Sequence, residues 1–179
     1  MQNTRVLWLT GLSGAGKTTL ARALRERFTS AFIIDGDEIR NGLNSDLGFS
    51  PECRAENIRR IAELCKIVAA FGAVPIVSVI SPYEENRKRA KQIIGPGFFE
   101  IYVSTPLEVC IARDVKGLYK QAKANELSSM TGISAPYEPP ENPDVTINTA
   151  NLSIEDCVRE ILEKLTNADR RANTRTNNR

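Results

Sequence analysis

Apolar residues in this chain gather in short unbroken runs, separated by segments with helical spacing. Val6–Thr10 is one such run, closing on glycine, and Leu20, Leu24 and Phe28 then recur at helical intervals, which predicts strand, loop and helix. Residues 31–34, ending at Asp35, and residues 73–80 form a second and a third run. Unbroken apolarity of this kind suits parallel strands buried on both faces. Between them Ser50 and Pro51 supply an N-cap and a first-turn proline for a helix whose Ile58, Ile61, Leu64, Cys65, Val68 and Phe71 share one face, stopped by Gly72. Phe98–Val103 predicts a fourth strand. Thr105-Pro106-Leu107-Glu108 then has capping-box spacing and starts a helix toward Arg113. Val145–Ile147 predicts a fifth strand, and a last helix from near Ser153 packs through Cys157, Val158, Ile161, Leu162 and Leu165.

This alternation predicts an α/β fold with a doubly wound parallel five-stranded sheet and ligands beyond the carboxyl ends of its strands. With 179 residues the chain suits one domain, expected over residues 1–166. Residues 116–142 are polar, rich in lysine and proline, and longer than an ordinary connection of about 4–6 residues, so they read as a lid. The polar stretch 167–179 reads as a disordered tail.

Composition narrows the chemistry. Hydrophobic residues make up 41% of the chain and charged ones 26%, enough for a packed core. The formal charge is +2, but Arg170, Arg171, Arg175 and Arg179 lie in the tail, so the body is near neutral and is not expected to bind nucleic acid. Histidine is absent, which excludes Ser-His-Asp and Cys-His systems, histidine zinc sites and histidine relays. Cys53, Cys65, Cys110 and Cys157 lack paired spacing, which argues against a zinc site or a disulfide framework and for a reducing cytoplasm. No charged-then-apolar leader and no apolar run near about 18 residues is visible, so a soluble, membrane-free protein is expected.

Gly11-Leu12-Ser13-Gly14-Ala15-Gly16-Lys17-Thr18, with Thr19 following, fits G-x-x-x-x-G-K-[ST] between a predicted strand and a predicted helix. The glycines let backbone N–H groups turn around phosphates, Lys17 reaches the outer phosphates, and Thr18 offers a hydroxyl to Mg²⁺. ATP and Mg²⁺ are therefore the expected cofactors. Asp35-Gly36-Asp37 ends the second strand, where one carboxylate can serve the metal and the other an attacking hydroxyl; the alternative is that one aspartate only caps the next helix. Arg40, Arg54, Asn57, Arg59 and Arg60 cluster around Leu47-Gly48-Phe49-Ser50, which suggests an anionic substrate beside an aromatic able to stack, although arginines on a helix are often just a solvated face. Ser81-Pro82-Tyr83-Glu84 also has capping-box spacing. Arg113, Lys116 and Lys120 stand at the entrance to the lid, where a phosphoryl-transfer enzyme brings in cations, while Tyr137 and the prolines near it shape the lid.

Seven segments in order, GLSGAGKTT at 11–19, DGDEIRNGL at 35–43, SDLGFS at 45–50, RAENIRR at 54–60, VISPY at 79–83, TPLEVCIARDVKGLY at 105–119 and TGISAPYEPP at 131–140, make the chain resemble the adenylylsulfate kinase family over roughly residues 5–165. The resemblance implies a P-loop kinase that turns MgATP and adenosine 5′-phosphosulfate into ADP and 3′-phosphoadenosine 5′-phosphosulfate in sulfate assimilation, usually as a homodimer. It implies that Asp37, Arg40, Phe49, Arg54, Asn57, Ile80, Ser81 and Lys116 surround the phosphosulfate substrate, with Asp35 near its 3′-hydroxyl; Arg113, at the lid entrance, is expected to bind ATP. Thr18, Asp35 and Asp37 are the metal residues expected from the phosphate loop and the aspartate pair, and Ser81 falls at the family's phosphoserine position, where a capping role alone would suffice. Asn41 stands where many members have histidine. Met130 stands where phenylalanine usually precedes Thr-Gly-Ile and would cover the substrate base opposite Phe49. A kinase for a nucleoside monophosphate or a sugar acid, and a nucleotide-dependent switch, are the competing readings.

Overall fold

The computed structural model describes residues 5–124 and 129–177, with side chains to residue 171. Strands β1 (Val6–Thr10), β2 (Ala31–Asp35), β3 (Val74–Ser78), β4 (Phe98–Val103) and β5 (Val145–Ile147) form one parallel sheet in the order β2-β3-β1-β4-β5. β1 lies in the middle and is buried at every position, which is why its sequence is an unbroken apolar run. Its side chains alternate between faces. Leu7 and Leu9 pack with Leu20 and Leu24 of α1 (Lys17–Arg25) and Ile161 of α7 (Ile154–Asn177). Val6 and Trp8 face the opposite cluster with Ile58 and Ile61 of α3 (Pro51–Ala70) and Ala90 of α4 (Glu84–Ile94). Helices thus cover both faces, and the carboxyl ends of β1, β2 and β3 open onto one side.

Of the three helix caps read from a Ser or Thr before proline, one forms and two do not. Ser50 accepts the Cys53 N–H at 3.2 Å with Pro51 in the first turn of α3. Thr105 does not cap α5 (Leu107–Arg113): that helix begins after Pro106, and the Thr105 hydroxyl turns inward to the Ala15 carbonyl. Ser81 does not cap α4 either, since Tyr83 holds that position and the Ser81 hydroxyl bonds to Thr10. In both cases a buried acceptor competes with the helix end for a short side chain.

The remaining elements are α2 (Gly36–Asn41), a 3-10 turn at Gly95–Gly97, and α6 (Leu118–Lys123). α6 falls inside the stretch read as a lid, of which residues 125–128 lie outside the described residues. Phe71, expected on the buried face of α3, is its C-cap residue and is exposed. α7 continues as helix to Asn177, past Asn167 where the sequence suggested a disordered tail. Ala168 packs against the core, and Asp169 is held by Arg5 at 2.6 Å, so the last helix is tied to the chain ahead of β1. All four cysteines are free thiols, three of them buried.

Candidate functional site

A cavity of about 1290 Å³ opens beyond the carboxyl ends of β1, β2 and β3. One wall is the loop between β1 and α1. Gly11 runs at φ 146°, and a Cβ there would stand 2.5 Å from the Val103 carbonyl; Gly16 takes a left-handed φ of 99° to cap α1. Only glycine fits both demands. Ser13, Gly14, Gly16, Lys17, Thr18 and Thr19 line the cavity. Gly11, Leu12 and Ala15, expected to bind ATP, do not line it: Ala15 is fully buried, and the Gly11 and Leu12 carbonyls accept the Lys17 Nζ at 2.8 and 2.7 Å. Burial, aided by the nearby Lys116 charge, pulls the Lys17 ammonium down to about 8.

The loop is clamped from behind by Thr149 and Tyr119, which the sequence did not single out, together with Thr105, expected as a helix cap, and Arg113, expected beside ATP. Thr149, following β5, donates to the Ala15 carbonyl at 2.8 Å, where Thr105 also donates at 3.0 Å. Arg113 donates to the Thr149 hydroxyl at 2.8 Å, the Thr149 carbonyl at 2.9 Å and the Gly14 carbonyl at 3.3 Å. Tyr119 of α6, nearly inaccessible, donates to the Ser13 carbonyl at 3.0 Å. Asp114 prepares this contact by accepting the Tyr119 and Lys120 N–H groups at the start of α6. No motif marks such threonines, because they act through one backbone carbonyl brought near by the fold.

Asp35 joins the two sides of the cavity. Its Oδ2 accepts the Thr18 hydroxyl at 2.9 Å, while its Oδ1 accepts the Asp37 N–H at 3.0 Å and so caps α2. The capping role and the site role coincide in one side chain. Asp37, on α2, is ion-paired with Lys116 from the turn between α5 and α6. Lys120 does not line the cavity.

The opposite wall comes from α2, α3 and the segment between them. Arg40 donates to the Gly48 carbonyl at 2.9 Å and lies 4.5 Å from the centre of the Phe49 ring. Arg54, nearly buried, donates through Nε to the Phe49 carbonyl at 3.0 Å and through Nη2 to the Ser129 carbonyl at 2.9 Å. Phe49 remains 57% exposed, and Asn57, Ile80, Ser81 and Met130 complete the wall. Arg59 and Arg60 do not reach it: both pair with Glu56, and Arg60 also with Asp46, so for these two the solvated-face reading holds.

Ser81 sits in a strained turn at φ 39° and is 2% exposed. Its hydroxyl accepts the Trp8 indole N–H at 3.2 Å and donates to Thr10 at 2.9 Å. Its carbonyl takes the Arg87 guanidinium at 2.8 Å, and Arg87 also holds the Glu138 carbonyl at 2.7 Å. Tyr137 stacks against Tyr102 and bonds to Thr10, and burial raises its phenol well above the ordinary range.

The adenylylsulphate kinase family model matches residues 3–148. The adenylyl-sulfate kinase of Phocaeicola vulgatus is 52% identical over 163 residues, covering 88% of this chain and 80% of that protein. That of Clostridium acetobutylicum is 46% identical over 168 residues, covering 92% and 84%. Among solved structures, the Mycobacterium tuberculosis APS kinase CysC in complex with AMPPNP and APS superposes with a TM-score of 0.86 at 42% identity, covering 91% of this chain and 98% of that one. With a family model matching residues 3–148 and relatives 46% and 52% identical over most of its length, the chain belongs to the adenylylsulfate kinase family.

Proposed function

We infer that this chain transfers the γ-phosphoryl group of ATP to the 3′-hydroxyl of adenosine 5′-phosphosulfate, giving ADP and 3′-phosphoadenosine 5′-phosphosulfate. The observation that carries the reading is that the phosphate loop and the wall of Arg40, Arg54 and Lys116 open into one cavity, with Asp35 and Asp37 between them. Phosphoryl transfer asks a protein mainly for in-line positioning and charge neutralisation. The loop N–H groups, the N-terminus of α1 and Lys17 take the ATP phosphates, and Arg113 borders the nucleotide. Asp35 takes the proton of the attacking hydroxyl as that oxygen bonds to the γ-phosphorus and the bond to the β–γ bridging oxygen breaks. Arg40, Arg54, Asn57 and Lys116 hold the anionic part of the acceptor, and Phe49 and Met130 take its base.

Thr18 and Asp35 fit Mg²⁺ as hard oxygen donors beside the phosphates, with Asp37 close in sequence. Such an ion binds through one or two side chains plus phosphate oxygens and water, so the absence of any three-residue His, Cys, Asp or Glu cluster among the described residues is consistent with it. When bound, Mg²⁺ neutralises charge on the phosphate oxygens. Ser81 serves this reading as a fixed part of the wall, its hydroxyl engaged on both sides.

A coupled assay of ADP release tests the reading. Adenosine 5′-phosphosulfate should support turnover far better than AMP, which lacks the sulfate. Equal rates with both would point to the nucleoside monophosphate kinase alternative.

A further inference from the structure

Asn44 lies just past α2 and is fully buried. Its backbone is fixed at both ends, the N–H on the Ile39 carbonyl at 2.8 Å and the carbonyl on the Leu47 N–H at 3.1 Å. Its side chain does not line the cavity, and it faces Asn57 of α3, which does. The Asn44 Nδ2 donates to the Asn57 Oδ1 at 2.9 Å, while the Asn44 Oδ1 is buried with no partner among the described residues. A lone buried carbonyl oxygen is costly, and a leucine would fill this space without one. What asparagine adds is direction. The last torsion of an asparagine is soft and nearly two-fold, so a free Asn57 could present either its oxygen or its N–H₂ to the cavity. With its Oδ1 turned toward Asn44, Asn57 carries its N–H₂ on the other side of the amide. The neighbouring Arg40, Arg54 and Lys116 are donors without acceptor capacity.

We propose that Asn44 is a positioning residue for the substrate wall: it locks the Asn57 amide so that its N–H₂ meets an anionic oxygen of the substrate and its carbonyl stays turned away. The inference rests on the reading of adenosine 5′-phosphosulfate as the substrate.

Asn44→Asp tests it, because a near-isosteric acceptor replaces the donor. Asn57 must then hand its N–H₂ to residue 44 and turn its carbonyl toward the anion. The KM for adenosine 5′-phosphosulfate should rise roughly 10- to 100-fold, the span expected when a hydrogen bond to a charged group is lost, with the KM for ATP within about twofold of wild type. Asn44→Leu, which only frees the amide, should raise the same KM by less. In an Asn57→Ala background neither substitution should add anything. An unchanged KM for adenosine 5′-phosphosulfate in the folded variants, a parallel rise in the KM for ATP, or effects that add fully to Asn57→Ala would overturn the proposal. If the aspartate variant does not fold, the leucine variant and its cycle with Asn57→Ala decide. Wild-type protein that fails to phosphorylate adenosine 5′-phosphosulfate defeats the substrate reading. Active wild type with insensitive Asn44 variants defeats only this inference.

Discussion

The two walls of the cavity are built on different principles. The phosphate-loop wall is backbone, shaped by glycines and braced through carbonyl contacts, those of Thr105, Thr149 and Tyr119 buried and that of Arg113 at the surface. The opposite wall is side chain and mixed in exposure: Arg54, Asn57, Ser81 and Met130 are buried, whereas Phe49 is 57% exposed and the side chains of Asp37 and Lys116 are 61% and 48% exposed. A preformed backbone cradle can meet any nucleoside triphosphate, since it recognises phosphate geometry. On the proposed function, selection among small acceptors falls to the long, planar and charged side chains opposite. The division implies that changes on one wall should leave the other wall's ligand nearly untouched.

Asp35 touches both walls and should show the largest effect. Asp35→Asn is expected to lower kcat by about 10²-fold or more while ADP still binds, as loss of a proton acceptor would. Near-normal turnover would remove Asp35 from the chemistry. Thr149→Val keeps the shape and the Arg113 contact to the Thr149 carbonyl but deletes the hydroxyl's contacts to Ala15 and Arg113, so the KM for ATP should rise roughly tenfold with that for adenosine 5′-phosphosulfate unchanged. A rise in both would mean that the walls are mechanically coupled. Arg54→Lys keeps the charge but cannot hold the Phe49 and Ser129 carbonyls together, and it should weaken adenosine 5′-phosphosulfate by about fivefold with ATP unaffected.

These side-chain roles were unequally legible in the sequence. The phosphate loop could be read because its requirement is steric and local: a backbone that turns its N–H groups inward needs glycines at fixed positions. The sheet could be read for the same kind of reason, since strands covered on both faces must be apolar throughout. Arg54 and Arg59, five residues apart on one helix, could not be told apart by spacing, and only the fold shows that one reaches the wall while the other pairs with Glu56. Thr105 and Ser81 misled because their local spacing suits a helix cap, while acceptors 90 and 71 residues away in sequence claim the hydroxyls. Thr149 carries no sequence signal at all, as its function depends on β5 lying beside β4.

The smallest effect concerns pH and again separates the walls. Burial lowers the Lys17 ammonium to about 8 from its unfolded value of 10.5, so the free protein loses that proton as pH rises through about 8. ATP affinity should fall about fourfold between pH 7 and pH 8.5, because bound phosphates favour the charged form. Between about 8 and 10.5 the unfolded chain binds more protons at this group than the folded one, so its contribution to folding stability rises with pH over the same range. Titrating ADP by calorimetry alongside thermal melts checks both signs; affinity that holds steady to pH 9 would show Lys17 charged throughout.

The most direct measurement follows the label from γ-³²P-ATP through a single turnover with adenosine 5′-phosphosulfate. On the proposal that Asp35 serves the acceptor hydroxyl, and with the Ser81 hydroxyl buried between Trp8 and Thr10, all transferred label should appear on the 3′-oxygen of the adenosine product, none should remain on protein, and Ser81→Ala should still transfer it. Label trapped on Ser81, or no label on the nucleotide acceptor, would contradict the account.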